Sequence, residues 1–453
     1  MMTSRNRNNS QAATRLVSCG ALLAVIMAPL VVSAEGRPLT LDEAHATARR
    51  EHPGLRAGRA EKTATEAQVG EAFAGYLPRL DTYVQYQRST GNWLPTPGMA
   101  GFVQGDAGAR DNQLGFADTV NYVTFGTVLT QPIYDFGKTG GKMDAARAQD
   151  SLALASLRAN EQDVEVTVRV AYYAVLAAQQ AVQVAEETRQ NQARHVEQIR
   201  QFVAAGSRAK YDLVSAEQKL DDADLALVRA RNGLRTARVR LNNAMGQNGG
   251  VEYEAIDPVA ADTTLEGREP AQLFGAAQAS RPELARSAAQ IALRRADQNF
   301  AWAGYFPDLV AAGSFSGAKV DDLDAGLNWY VGVGLTWRMF EGLRTYRRSA
   351  ATAALTTAGE AEQERIRQSV QTEIQVQLMA IDEAKQRLKV AEHAVETAKE
   401  RLRLAEGMYG AGAGSVLELE DAQVAYMTVR FQSVQARYDL AVARVFLKWA
   451  VGL

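Results

Sequence analysis

The clearest pattern of apolar and polar positions is a strict alternation between residues 329 and 338. Polar residues and glycines take every second position, and the apolar side chains are Trp329, Val331, Val333, Leu335 and Trp337. A period of two with aromatic residues at both ends of the apolar face predicts a lipid-facing strand. Eight steps at ~3.3 Å per residue span about 26 Å, close to the ~25 Å apolar band of a transmembrane β-barrel.

Three weaker alternations predict further strands. They cover residues 80–87, 122–130 and 309–315. An ordinary sheet with one buried face remains the alternative interpretation of these segments. Four strands cannot close a barrel, because small barrels need about eight. The pattern therefore predicts a barrel shared among copies of the chain, with about twelve strands from three copies.

Long segments without helix breakers predict long helices. Between Gly141 and Gly206 there is neither glycine nor proline, which predicts a helix of about 60 residues and ~90 Å. Residues 213–241, 381–405 and 419–447 carry heptad positions at alternating spacings of three and four. A repeat of 3.5 residues predicts coiled-coil packing. A rod without a channel is the alternative, but a rod has no use for a lipid-facing strand.

The chain is written twice. Pro282 follows Pro53 by 229 residues, and Gly452 follows Gly246 by 206 residues. The offset changes between the two predicted strands of each half, which places the length difference in an exposed loop. Each half reads as helix, strand, loop, strand, very long helix, break and long helix, and Thr40 with Glu43 predicts a capping box at the first helix. We expect repeats at residues 35–250 and 269–453, with a linker at 251–268.

The first 34 residues predict an export signal. Three arginines precede a largely apolar stretch, and Val32-Ser33-Ala34 offers small residues for cleavage. Its removal would change the formal charge from −2 to −5, so the remaining chain is not basic and nucleic acid is excluded as a partner. Cys19, the only cysteine, lies in this segment within a lipoprotein-like box, which leaves lipidation open. No later run of 18 apolar residues predicts a membrane-spanning helix.

Residues capable of enzymatic or metal chemistry do not cluster in the sequence. The four histidines are scattered, and we expect His195 and His393 to face solvent on helices. The glycine-rich segment 410–414 precedes no Lys-Ser/Thr pair, so it does not predict a phosphate site. The sequence therefore predicts no enzyme, no metal site and no cofactor.

Taken together, these motifs resemble the TolC-like outer-membrane efflux protein family over essentially all of the chain after the signal. The resemblance is carried by residues 52–55 and 281–284, 75–78 and 304–307, 131–137, and the two glycine breaks between long helices. It implies an α+β membrane protein and a homotrimer. Twelve strands would form a barrel in the outer-membrane lipid of a Gram-negative bacterium, and coiled-coil helices would form an α-barrel in the periplasm.

The resemblance also implies partners at the far end of the helices. Family members dock there with a periplasmic adaptor and an inner-membrane pump of the RND, ABC or MFS type. It assigns adaptor contact to two tips, although the glycines also permit the turn between helices. The tip residues are Ala205, Gly206, Ser207, Ala411, Gly412 and Ala413.

Four residues near the tips resemble the family's gate. Glu418 and Asp421 lie three apart on one helical face and match carboxylates that ring the tunnel entrance, where three copies would repel anions and bind cations. Tyr409 and Asp212 match a pair that holds neighbouring helices together in the closed state. The family's gate arginine is Gly414 here, and Arg208 is the candidate substitute.

The sequence thus predicts a passive outer-membrane exit duct of an efflux or type I secretion system, gated at its periplasmic tip. The alternative is a structural or adhesive outer-membrane coiled coil without a conducting lumen. Neither the cargo, whether drug, metal ion or polypeptide, nor the pump class follows from the sequence.

Overall fold

The computed structural model describes residues 37–90, 119–248, 253–257, 263–320 and 326–453. The expected export signal with Cys19 and most of the loop between the first two predicted strands lie outside these residues. The expected linker at 251–268 is described only in part.

The first half of the chain contains seven described elements. They are β1 (Arg37–Leu39), α1 (Leu41–Glu51), α2 (Pro53–Ala74), β2 (Arg79–Thr90), β3 (Thr119–Tyr134), α3 (Lys138–Ala204) and α4 (Lys210–Ala244). The capping box forms as predicted, because Glu43 N donates to Thr40 Oγ1 and Thr40 N donates to Glu43 Oε2. The predicted first helix is two helices, since Pro53 can begin a helix but cannot continue one.

The second half repeats this order. Its elements are β4 (Tyr253–Ala255), α5 (Pro270–Ser280), α6 (Pro282–Ala303), β5 (Asp308–Val320), β6 (Gly326–Thr336), α7 (Arg344–Gly410) and α8 (Val416–Val451). The four predicted strands and the long helices are confirmed. Trp337 lies one residue beyond the end of β6, and its indole Nε1 donates to Tyr305 O at 3.0 Å.

Four strands form one antiparallel sheet in the order β2-β3-β5-β6. Leu80 is opposite Leu129 in the first hairpin, and Leu309 is opposite Leu335 in the second. Strands β3 and β5 join the two hairpins, with Leu129 opposite Gly313. In the described residues, the outer edges of β2 and β6 pair with no further strand.

The long helices lie side by side in the order α4-α3-α8-α7. Paired side chains join neighbours across this layer. Arg189 Nε donates to Asp224 Oδ1 between α3 and α4 at 2.8 Å, and Gln192 Nε2 donates to Gln423 Oε1 between α3 and α8 at 2.9 Å. In the described part of the chain, no long helix packs against the outer side of α4 or α7.

A small parallel pair of strands, which the sequence patterns did not predict, joins the two halves beside the helices. Arg37 of β1 is opposite Tyr253 of β4. The buried hydroxyl of Tyr172 lies 2.8 Å from Leu39 O and 2.6 Å from Ile256 O, and it accepts a bond from Ile256 N. Burial raises the pKa of Tyr172 to about 12. Three-residue strands fall below the length at which alternation can be recognised.

Two main clusters of apolar side chains hold the helices. One surrounds Tyr172 and joins α1, α3 and α4, and the other includes Leu273, Ile374 and Leu447 and joins α5, α7 and α8. Among the described residues, no helix is both long enough and apolar enough to span a membrane.

Candidate functional site

Each pair of long helices turns back at a glycine in a left-handed conformation. Gly206 and Gly412 both have φ of +74°, a region that residues with a Cβ enter only with strain. Ser207 N donates to Phe202 O, and Ala413 N donates to Met408 O, each at 3.0 Å. These bonds satisfy carbonyl groups that the helix ends leave open. The three residues of each predicted tip are exposed.

The turn into α8 is capped, whereas the turn into α4 is not. Ser415 Oγ accepts bonds from Leu417 N and Glu418 N, and Ser415 N donates to Glu418 Oε2 at 3.2 Å. The equivalent residue before α4 is Ala209, which has no side-chain oxygen. Glu418 therefore has a local role in starting α8 in addition to the charge that it presents.

Glu418 and Asp421 are both exposed on the first turns of α8, as the spacing of three predicts. The side chain of Glu420 faces differently and accepts a bond from Ser215 Oγ of α4 at 3.1 Å. This contact ties the beginnings of α4 and α8 together. It leaves Glu418 and Asp421 as the exposed carboxylates of the α8 start.

Tyr409 is the central side chain just behind the tip. It is only 4% exposed and packs against Ala405, Leu419 and Ala422. The guanidinium of Arg208 lies 4.6 Å from the centre of its ring, and the ring of His195 lies 5.8 Å away. A cation over an aromatic face is attracted by the ring quadrupole. The first tip turn is thereby held against the end of α7.

The hydroxyl of Tyr409 has no hydrogen-bond partner in the described part of the chain. Burial raises the pKa of Tyr409, Arg208 lowers it, and the negative charges of Asp212 and Glu420 raise it further. Asp212 is therefore near Tyr409, as the resemblance implies, but it accepts no bond from the hydroxyl. In this chain the contact with the aromatic ring is made by Arg208.

Gly414 occupies the position of the family's gate arginine for a steric reason. A Cβ at this residue would lie 3.0 Å from Tyr409 N and 3.1 Å from Met408 Cβ. Gly414 N also donates to Met408 O at 3.0 Å, which holds the turn close to α7. The turn therefore excludes a larger residue, and the positive charge is supplied by Arg208 from the opposite tip.

His195 is buried, so the expectation that it faces solvent is wrong. It is 8% exposed, and its Nε2 has no hydrogen-bond partner in the described residues. Burial lowers the pKa of His195, opposed by the charge of Glu420. The sequence does carry the signal, because His195 lies three residues after Gln192 and four before Ile199, on the buried face.

The predicted lipid-facing residues are exposed in the single chain. Their exposed fractions are 77% for Trp329, 79% for Val331, 66% for Val333, 62% for Leu335 and 55% for Trp337. Apolar side chains this exposed need a partner surface or lipid. They lie on the strand at the outer edge of the sheet, at the opposite end of the long helices from the tips.

Comparison with known proteins identifies the class to which this architecture belongs. The chain matches the outer membrane efflux protein family over residues 45–247 and 273–453. It belongs to that family. It is therefore an outer-membrane channel of efflux or secretion systems and not an enzyme.

Particular relatives are similar over most of their length. The protein CyaE of Bordetella pertussis is 26% identical over 407 residues, which cover 88% of this chain and 81% of the relative. The outer membrane protein TolC of Salmonella enteritidis is 23% identical over 442 residues, covering 91% and 82%. The crystal structure of the Campylobacter jejuni CmeC outer membrane channel aligns with a TM-score of 0.77 at 15% identity, covering 91% and 85%. This last similarity supports the fold.

Proposed function

We propose that three copies of the chain assemble into a closed duct that crosses the outer membrane and extends through the periplasm. The observation that carries the proposal is the pair of open edges on both layers of the molecule. Strands β2 and β6 flank the sheet, and helices α4 and α7 flank the helix layer. An exposed strand edge presents unpaired backbone groups, and closing the sheet on itself satisfies them.

The two edge helices carry exposed apolar seams at heptad spacing. On α4 the exposed fractions are 78% for Tyr211, 55% for Val214, 48% for Leu225, 64% for Val228 and 62% for Val239. On α7 they are 51% for Val376, 69% for Met379, 68% for Val390 and 50% for Leu404. Seams of this kind pack against another helix. A neighbouring copy offers the complementary edge helix, so α4 of one copy would pack on α7 of the next.

The lengths of the elements fit a membrane and a compartment below it. The outward residues of β6 form an apolar face, and Leu80, Val84 and Tyr86 of β2 are exposed on the other edge strand. Both α3 and α7 contain 67 residues, or about 100 Å of helix at 1.5 Å per residue. A barrel in the outer membrane would thus place the tips deep in the periplasm.

The tips are then the place where partners meet the duct. The exposed turns around Gly206 and Gly412 would contact a periplasmic adaptor, which links the duct to an inner-membrane pump of the RND, ABC or MFS type. The pump would supply the energy, because the duct offers only an aqueous path. Its opening would require Arg208 to leave the ring of Tyr409, since that contact joins the two helix pairs of one chain.

Glu418 and Asp421 would line the entrance as rings of three like charges. Single-channel conductance in a planar bilayer tests this role. The substitutions Glu418→Gln and Asp421→Asn remove the charges while keeping side-chain size, and Gln at position 418 can still complete the capping box. We expect a small, cation-selective conductance in the wild type and a several-fold loss of cation selectivity in the double variant.

Glu392→Gln is the matched control. Glu392 is an exposed carboxylate on α7, 18 residues before its end at Gly410 and so about 27 Å from the tip. It should leave selectivity unchanged. Conducting channels with unaltered selectivity in the double variant would remove the two carboxylates from the entrance. Stable oligomers that never conduct would favour a structural coiled coil without a lumen.

A further inference from the structure

The two halves of the chain make the same internal contacts at equivalent positions. Gln131 Nε2 donates to Tyr76 O at 3.0 Å, and Trp337 Nε1 donates to Tyr305 O at 3.0 Å. Gln131 and Trp337 are 206 residues apart, and Tyr76 and Tyr305 are 229 residues apart. The repeat offsets of the sequence therefore hold in three dimensions.

Close backbone approaches obey the same offsets. A Cβ on Gly246 would lie 2.5 Å from His52 Cα, and a Cβ on Gly452 would lie 2.9 Å from Arg281 N. The hairpins also share one register, because Arg79 opposite Thr130 corresponds to Asp308 opposite Thr336. Each half is thus a structural unit that occurs twice in one chain.

The junction between the two units is seen once in the chain, at β3 and β5 in the sheet and at α3 and α8 in the helix layer. When copies with identical units close a ring, the junction between copies joins the second unit of one copy to the first unit of the next. If the ring is regular, one rule generates both junctions. Adding 206 to a residue of the first unit and subtracting 229 from a residue of the next strand gives the contact between copies.

We infer that β6 of one copy pairs antiparallel with β2 of the next in one register, which places Leu335 opposite Val84 and Val333 opposite Tyr86. The templates are Leu129 opposite Gly313 and Thr127 opposite Phe315 within the chain. The faces of the strands agree with this register. All four side chains are exposed in the single chain, at 62%, 76%, 66% and 65% respectively, and a shift by one residue would oppose apolar and polar faces.

The helix layer supplies an independent contact by the same rule. Gln162 Nε2 of α3 donates to Gly452 O at the end of α8, at 2.8 Å. The equivalent residues at the copy junction are Gln368 of α7 and Gly246 at the end of α4. The amide is kept in both units, and Gln368 is exposed in the single chain. Its side chain donates to Gly246 O of the neighbouring copy.

Disulfide cross-linking tests the strand register. Cys19 is the only cysteine of the chain, so the protein with Cys19→Ser is a cysteine-free background. A disulfide requires Cβ atoms about 3.5–4.5 Å apart, a distance found only between directly opposed residues. The double variant Leu335→Cys with Val84→Cys should form covalent dimers and trimers under mild oxidation. Either single variant should form none.

Two further pairs fix the register. Val331→Cys with Val84→Cys is displaced by four residues, about 13 Å along the strand, and should not cross-link. Leu335→Cys with Tyr86→Cys is displaced by two residues. Efficient cross-linking of that pair instead of the first would overturn the inferred register while leaving the ring of copies intact.

Dissociation of the assembled protein tests the helix contact. Gln368→Ala should accelerate subunit dissociation by about fivefold or more, because each copy junction loses a hydrogen bond. Gln363→Ala is the control, since its amide faces Ser287 of the same chain at 3.4 Å and should leave the rate unchanged. Equal rates for wild type and Gln368→Ala would overturn the helix contact.

The ring itself is measured separately by the mass of the uncross-linked protein in detergent. Oligomers with the wrong cross-links refute the register alone. A protein that remains a single chain refutes both the register and the proposed duct.

Discussion

At the scale of single residues, Tyr409 is the side chain on which the tip depends. Its ring packs among Ala405, Leu419 and Ala422 and carries the Arg208 guanidinium on one face, whereas its hydroxyl has no partner in the described residues. The ring and the hydroxyl can therefore be tested apart. A latch made by the ring responds to substitutions differently from a latch made by a hydrogen bond to Asp212.

We predict that Tyr409→Phe leaves the closed duct unchanged or slightly more stable, because it removes only an unsatisfied buried hydroxyl. Tyr409→Leu and Arg208→Ala should both raise the open probability several-fold, since a cation–π contact contributes about 0.5–2 kcal/mol. Single-channel recording measures these changes. A large opening effect of Tyr409→Phe would instead show that the hydroxyl makes the latch.

At the scale of elements, the two turns at the tips differ in how the following helix begins. Helix α8 starts with the Ser415 capping box, and α4 starts at Ala209 without a cap. We predict that Ser415→Ala destabilises the first turn of α8 by about 1 kcal/mol, and that Ala209→Ser stabilises the first turn of α4 by a similar amount. Hydrogen exchange of the first-turn amides reports each effect separately. Unchanged exchange in both variants would show that the caps do not limit helix opening there.

The short segment before α5 is fastened to the long helices by one carboxylate. Glu266 Oε2 accepts from Lys385 Nζ at 2.7 Å, and Oε1 accepts from Arg444 Nε at 2.6 Å. Burial acts to raise the pKa of Glu266, but the bonds from Lys385 and Arg444 outweigh it, so the pKa lies below its usual range. This carboxylate joins the segment to both α7 and α8.

A lowered pKa of a carboxyl group stabilises the folded state above its unfolded pKa, about 4.3, and this contribution is lost as the pH falls through the folded pKa. We predict that Glu266→Gln lowers the free energy of unfolding at pH 7 by about 2 kcal/mol. The difference from wild type should shrink as the pH falls below about 4. Denaturant unfolding at several pH values measures it. A difference independent of pH would show that packing of the residue, and not its charge, supplies the stability.

The sequence predicted long elements better than short ones or side-chain contacts. Alternation over Trp329–Trp337 and heptads over residues 213–241 extend through several periods, so the strands and helices could be identified from spacing alone. Strands β1 and β4 are three residues each, and what holds them is the distant hydroxyl of Tyr172. The contact of Arg208 with Tyr409 joins residues 201 positions apart, so no local pattern could indicate it.

At the scale of the whole molecule, the single chain is an incomplete surface. Its edges expose apolar side chains on β2, β6, α4 and α7, while the central helices α3 and α8 are covered on both sides along the layer. The repeat of one unit makes the edges complementary, because the second unit of one copy meets the first unit of the next. The fold therefore leads directly to assembly.

Substitutions on the two edge helices distinguish an assembled duct from a single chain. Val228 of α4 is 64% exposed and Val390 of α7 is 68% exposed, so Val228→Glu or Val390→Glu should cost an isolated chain no more than about 0.5 kcal/mol. In a closed ring each substitution would bury three unpaired carboxylates, which costs several kcal/mol. We predict that either variant dissociates to single chains in detergent while keeping its helical circular dichroism. Val424→Glu, at a 47% exposed position on the central helix α8, should remain assembled. Intact oligomers in both edge variants would place α4 and α7 outside the contact between copies.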